Sequence, residues 1–112
     1  MSTTFWLMVC RHRPGGDAIR AENRDAHRAH VASGGRGLAR VLVGSAITAE
    51  DGVSPTGNFG ILEAPSREAA EAFAAADPYA LAGIVETIEI VPLAAGFQAH
   101  RIDPMTPRDA GR

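Results

Sequence analysis

An α+β fold of the ferredoxin-like kind, built on a split β-α-β pattern, is what this sequence predicts, and three observations carry it. Dense apolar, β-prone runs alternate with Ala-rich runs in the order β-α-β-β-α-β. Gly and Pro clusters punctuate the boundaries between them. The length, 112 residues, suits one domain with a single small core. Such a fold is an antiparallel four-stranded sheet with two helices on one face. Its other face stays bare, and pairing two sheets face to face in a homodimer is the usual remedy.

The first strand is Thr4-Phe5-Trp6-Leu7-Met8-Val9-Cys10, dense in apolar residues. Arg13-Pro14-Gly15-Gly16 ends it. Asp17 is a natural N-cap for the helix that follows, which stops near Ser33-Gly34-Gly35, where Gly can take a left-handed cap. Leu38 to Ile47 is the second strand, and Gly44-Ser45 within it marks a bulge or a close backbone approach. Glu50 to Gly57 reads as an exposed hairpin connection, and Asn58 to Glu63 as the third strand. Ser66 caps a second helix over Arg67 to Ala76, which ends before Asp77-Pro78 because the residue before Pro avoids the helical region. Tyr79 to Gly83 suits a short helical turn, and Val85 to Leu93 a fourth strand with Pro92 at its edge. Ala95 to Ile102 is expected to add a short extra strand. Residues 1–102 thus form the domain, and 103–112, with two Pro, a Gly and no periodicity, a flexible or draped tail.

Composition narrows the function. Net charge is −2, and all eleven basic residues are Arg interspersed with carboxylates, so no nucleic-acid footprint is expected. Cys10 is the only cysteine, which excludes an intrachain disulfide and a cysteine-based metal site; it reads as a buried small hydrophobe. The N-terminus lacks the basic segment of a signal peptide, and the run Phe5 to Cys10 is too short to cross a membrane. A cytoplasmic protein is expected, with no membrane partner and no cofactor. Aromatics are only 5%, so the core is thin and a partner subunit can supply burial.

The first helix carries the unusual pattern. At about 100° per residue, Arg20, Arg24, His27 and Val31 fall within roughly 60° of one another, with Ile19, Asn23, Ala26 and His30 beside them. Buried polar groups are costly unless paired, so this face suits the wall of a polar cavity better than a dry core.

Several signatures resemble the YciI-like (YCII-related) family, in its order and over roughly residues 5–94. They are Val9-Cys10-Arg11-His12-Arg13-Pro14-Gly15, Arg20-x3-Arg24-x2-His27, Leu42-Val43-Gly44-Ser45, Asp51-Gly52, Glu63-Ala64, and Asp77-Pro78-Tyr79-x3-Gly83 followed by a Val-Glu-x-Ile-x-Ile strand. The resemblance implies a dimerising ferredoxin-like fold related to the dimeric α/β-barrel group. It also implies a pocket with a His and an Asp as a catalytic pair, which fall on His27 and Asp77. A few relatives act as dehydrochlorinases or isomerase-like enzymes on aromatic-derived compounds. Ser45 stands where the family commonly has Pro, and Asp25 where Pro is often found between Arg24 and His27.

An Asp that accepts from one imidazole nitrogen fixes the tautomer, leaving the other nitrogen to serve as a general base near neutral pH. The competing reading is that Asp77 caps a turn and His27 is a satisfied interior histidine. Arg20 and Arg24, one turn apart, can clamp a carboxylate or enolate, or pair with helix carboxylates instead. Ser45 can bring a hydroxyl to the cavity, but no nucleophile-elbow motif surrounds it. Tyr79 and Trp6 are pocket or core walls. His27 and His30 share a helix stripe with no carboxylate, so no metal site is expected. Lyase or isomerase chemistry on a small anionic or aromatic-derived substrate fits these residues. A non-catalytic small-molecule-binding or dimerisation module is the alternative.

Overall fold

The computed structural model describes residues 4–107. Strands β1 (Phe5–His12), β2 (Arg40–Thr48), β3 (Pro55–Glu63) and β4 (Val85–Pro92) form one antiparallel sheet in the order β2-β3-β1-β4. Helices α1 (Asp17–Glu22) and α2 (Arg24–Gly37) connect β1 to β2, and α3 (Arg67–Ala75) with the short α4 (Pro78–Leu81) connects β3 to β4. The ferredoxin-like α+β architecture expected from the element order is the one observed.

Alternation along β1 builds the core. Trp6, Met8 and Cys10 face the helices and are buried, whereas Phe5, Leu7 and Val9 on the other face are partly exposed. Against the buried set pack Ala70, Phe73 and Ala74 of α3, with Val41, Leu62 and Ile90 from the neighbouring strands. Small alanines let α3 sit close to the sheet, and Phe73 supplies the bulk. Trp6 donates from Nε1 to the Ala64 carbonyl at 3.1 Å, so it is a core residue with its polar atom satisfied. Ser66 caps α3 as expected, accepting from the Ala69 amide.

The first helix departs from expectation in two ways. Asp17 does not cap it; Gly16 holds the cap position, and Asp17 lies in the first turn, where its charge suits the helix dipole. At Asn23 the helix breaks in two, because the Asn23 side-chain amide donates to the Ile19 carbonyl at 2.9 Å and draws the backbone out of helical geometry. Its far end turns left-handed at Gly34 and Gly35 as expected, and the turn extends to Arg36, with φ of 62, 64 and 61°. Gly34 has no alternative: a Cβ there would run into the Ala39 carbonyl.

Strand β2 carries a bulge. Val41 pairs with Leu62 but Val43 pairs with Ile61, leaving Leu42 as the extra residue. The bulge thus precedes Gly44-Ser45, while the close backbone approach is at Gly44, where a Cβ would meet the Phe59 carbonyl at 2.9 Å.

Beyond β4 the expected extra strand over Ala95 to Ile102 does not form; a single 3-10 turn, Ala99–Arg101, takes its place. The tail from Asp103 to Pro107 is draped along the β2 edge, and residues 108–112 lie outside the described residues. The Met105 amide donates to the Leu42 carbonyl at 3.2 Å and the Thr106 amide to the Val41 carbonyl at 3.0 Å. Thr106 is 2% exposed, and its hydroxyl joins two elements, accepting from the Val41 amide at 3.0 Å and donating to the Val31 carbonyl at 2.6 Å. Thr106→Val keeps the shape but leaves the buried Val41 amide without its acceptor. We expect it to lower the unfolding free energy by about 1–3 kcal/mol, read from urea denaturation midpoints.

Candidate active site

The centre of the site is a carboxylate with two obligations. Asp77 follows α3 and precedes Pro78, which holds it in an extended conformation at φ −60° and ψ 134°. Its Oδ1 accepts from the Tyr79 amide at 2.8 Å and caps α4. Its Oδ2 accepts from Nδ1 of His27, on α2, at 2.7 Å. The capping and pairing roles weighed from the sequence are both realised, one on each oxygen. With Nδ1 donating, Nε2 carries the lone pair, and among the described residues it has no hydrogen-bond partner.

His27 lines a cavity of about 530 Å³ between α2 and the sheet. Gly44 and Gly60 face each other across β2 and β3 and form a side-chain-free stretch of its floor. Tyr79 lines it too, yet is only 1% exposed, and its ring lies flat against His27 with centroids 4.2 Å apart and planes 12° apart. Its principal contact is therefore with the imidazole, which it holds in place. The Arg20 guanidinium lies 5.2 Å from the Tyr79 ring centroid. The Arg20 Nε is buried and has no hydrogen-bond partner among the described residues. Arg24 is exposed at the cavity rim, and neither arginine has a carboxylate within ion-pair distance among the described residues. Neither helix pairing nor competition with His27 for Asp77 is observed.

Ser45 is not brought to the pair. The bulge at Leu42 reverses the faces of every β2 residue after it, so Ser45 pairs with Phe59, itself opposite Val9, on the sheet face away from the helices. It is exposed, and its hydroxyl donates to the Ala46 carbonyl at 3.0 Å. It lines the cavity, at a distance from the pair and with its hydroxyl turned to its own neighbour's carbonyl.

Two polar residues, the half-buried His12 and the buried Asn58, were not anticipated. His12, in β1, donates from Nε2 to Oδ1 of Asn58, in β3, at 3.0 Å, and meets the Tyr79 ring edge-on at 5.6 Å. Asn58 is 6% exposed and lines the cavity. Burial holds the His12 imidazole below the ordinary histidine range; the Asn58 bond opposes this, and the nearby Arg20 cation adds to it. His30 is a structural residue, stacked on Phe73 and donating from Nε2 to the Phe73 carbonyl at 2.8 Å. Cys10 lies below the pair, its thiol pushed up to about 12 chiefly by burial and secondly by the Asp77 charge, so it stays protonated and packs as a hydrophobe. Among the described residues no group of three His, Cys, Asp or Glu side chains is placed to share a metal ion, and no helix is long and apolar enough to cross a membrane.

Fold and cavity together define a class: a ferredoxin-like α+β domain with a histidine–aspartate pair in a pocket between its first helical segment and its sheet. The chain belongs to the YCII-related domain family, whose model matches residues 4–94. No curated protein matches it. Among solved structures it is similar to the 5-chloro-2-hydroxyhydroquinone dehydrochlorinase TftG of Burkholderia phenoliruptrix, determined in complex with 2,5-dihydroxybenzoquinone. Identity is 26%, the match covers 80% of this chain and 93% of that one, and the TM-score is 0.68. That likeness supports a small enzyme.

His12 gives the site a pH signature in stability. Its folded-state affinity for a proton is depressed, so its contribution is complete above the unfolded histidine pKa of about 6.5 and is lost as pH falls below that value. Denaturation midpoints measured between pH 7.5 and 5 should therefore drop less steeply for His12→Gln than for the wild type. Parallel curves would reject the assignment.

Proposed function

We propose that this protein is a cofactor-independent acid–base enzyme, a lyase or isomerase acting on a small oxygenated ring compound of anionic character. The observation that carries the reading is the 2.7 Å bond between His27 and Asp77 at the wall of an open cavity, with Nε2 of His27 unclaimed by protein. Asp77 fixes the tautomer, and Tyr79 fixes the ring plane. A substrate hydroxyl placed against Nε2 loses its proton to the imidazole, and the O–H electron pair becomes a carbonyl π bond as the ring tautomerises. Where the ring carries a leaving group, the imidazolium returns that proton to the ring carbon bearing the group; a second ring hydroxyl then loses its proton to Nε2 and on to water as the group departs with the electrons of its bond to carbon. The net change is loss of HX. Where it carries none, the proton returns to another ring atom and the change is an isomerisation.

Arg20 and Arg24 support the developing oxyanion with charge-assisted bonds; the unpartnered Arg20 Nε and the lack of competing carboxylates favour this use. The dehydrochlorinase with a dihydroxybenzoquinone in its complex supports both the elimination and the ligand class. Incubating the protein with 5-chloro-2-hydroxyhydroquinone and following chloride release tests the reading. His27→Ala should lower the rate by about 10²–10⁴-fold and Asp77→Asn by about 10²-fold, with melting curves showing the variants folded. Chloride release indifferent to His27 would sink it. Binding of the quinone with no product would turn the protein into the non-catalytic module that the same pocket permits.

We propose further that the protein works as a homodimer closed through the bare sheet face. Phe5, Leu7 and Val9 of β1, Val43 of β2, Phe59 and Ile61 of β3 and Val91 of β4 lie on that face by register, and none is fully buried. Sedimentation should report a dimer for the wild type and a monomer for Leu7→Arg. A folded monomeric wild type would remove this part of the reading.

A further inference from the structure

The family match ends at residue 94, but the cavity wall continues beyond it. Met105 lines the cavity together with Val31, Ala32, Val41 and Gly44. These come from the later turns of α2 and the first half of β2, which run antiparallel. The cavity accordingly has two ends. Arg20, Arg24, His27 and Asn58 furnish a polar one and the aliphatic residues around Met105 an apolar one, with the exposed Arg28 one turn of α2 before Ala32 between them.

We infer that Met105 is a specificity-determining residue, walling the end of the pocket away from the reacting group, and that Thr106 is the positioning residue that holds it there. Three features support this assignment. Met105 and Thr106 are pinned by four hydrogen bonds to β2 and α2, so the methionine stands on a fixed backbone. The pinning depends on the bulge at Leu42. In a regular strand successive carbonyls point to opposite sides, whereas here those of Val41 and Leu42 both accept from the segment. Bulge and tail therefore act as one device. Finally, Met105 is 49% exposed, as a side chain at a cavity mouth must be, with one side to the pocket and the other to water.

The ligand follows from this division. An oxygenated ring edge belongs at the arginine and histidine end, and an apolar edge or substituent at the methionine end. A cavity of about 530 Å³ is larger than one bare ring requires. An unbranched thioether side chain adapts to different substituents better than a branched one. The ligand class rests on the function proposed above; the wall itself does not.

Two measurements on the full-length wild type, Met105→Ala and Met105→Trp test it, with melting curves to confirm folding. The first needs no ligand: the rate at which diethyl pyrocarbonate modifies His27, read by mass spectrometry with exposed His100 as internal reference. Alanine should raise that rate at least twofold and tryptophan lower it at least threefold; equal rates in all three overturn the inference. The second compares Kd for 2,5-dihydroxybenzoquinone and its 3-pentyl analogue. Met105→Ala should shift the ratio about tenfold toward the pentyl compound, the scale at which an apolar pocket discriminates methylenes. An unchanged ratio with both probes bound overturns the specificity role. A wild type that binds neither probe removes the proposed ligand class, and the His27 modification rates then decide the inference alone.

Discussion

One carboxylate holds the functional half of this molecule together. Asp77 is 5% exposed, and each of its oxygens is used: one caps α4, the other accepts from Nδ1 of His27 on α2. A buried charge without partners is expensive, so both bonds are required for the loop to sit where it does. Because Oδ1 is tied to the backbone of α4, Oδ2 is aimed before any ligand arrives. Because Pro78 bars Asp77 from continuing α3, the carboxylate emerges at the junction of two helices instead of along one. Preorganisation of this kind is what a proton-transfer site needs, since a base must be within hydrogen-bond reach and correctly turned.

The same logic explains how a polar helix face can lie against a sheet. Residues of α1 and α2 that look wrong for a core are each resolved locally: His30 by the Phe73 carbonyl, His27 by Asp77, and Arg20 by the Tyr79 ring. What remains unresolved is the Arg20 Nε. Arg40 Nε, on β2, is the other buried side-chain nitrogen without a partner among the described residues. The cavity owes its room to the opposed glycines 44 and 60, which leave the sheet floor flat below the helix.

Most of the architecture was legible because its signals are local. Hydrophobic runs, the Ser66 cap and the Asp77-Pro78 stop each depend on neighbours within a turn. The departures arise where distant parts meet. Asn23 breaks the first helix through its own side chain, a competition that propensity averages over. The bulge at Leu42 is paired by the tail, and by reversing the strand's phase it sets Ser45 in register with Phe59 and away from the His27–Asp77 pair. His12 and Asn58 stand 46 residues apart, so only strand register brings them together. The tail has no periodicity to read, which hid both the clasp at Thr106 and the place of Met105 in the cavity wall.

The draped tail also bears on how copies of the chain can meet. β2 is an edge of the sheet, and a free edge is a template for another chain's backbone. At Val41 and Leu42 those groups are already occupied by Met105 and Thr106, and the bulge spoils the repeat that an incoming strand would have to match. At the opposite edge β4 ends on Pro92, which has no amide to offer. Neither border invites continuous lateral growth of the sheet. The fold thereby protects itself from open-ended polymerisation while leaving its apolar face available for closed, finite association.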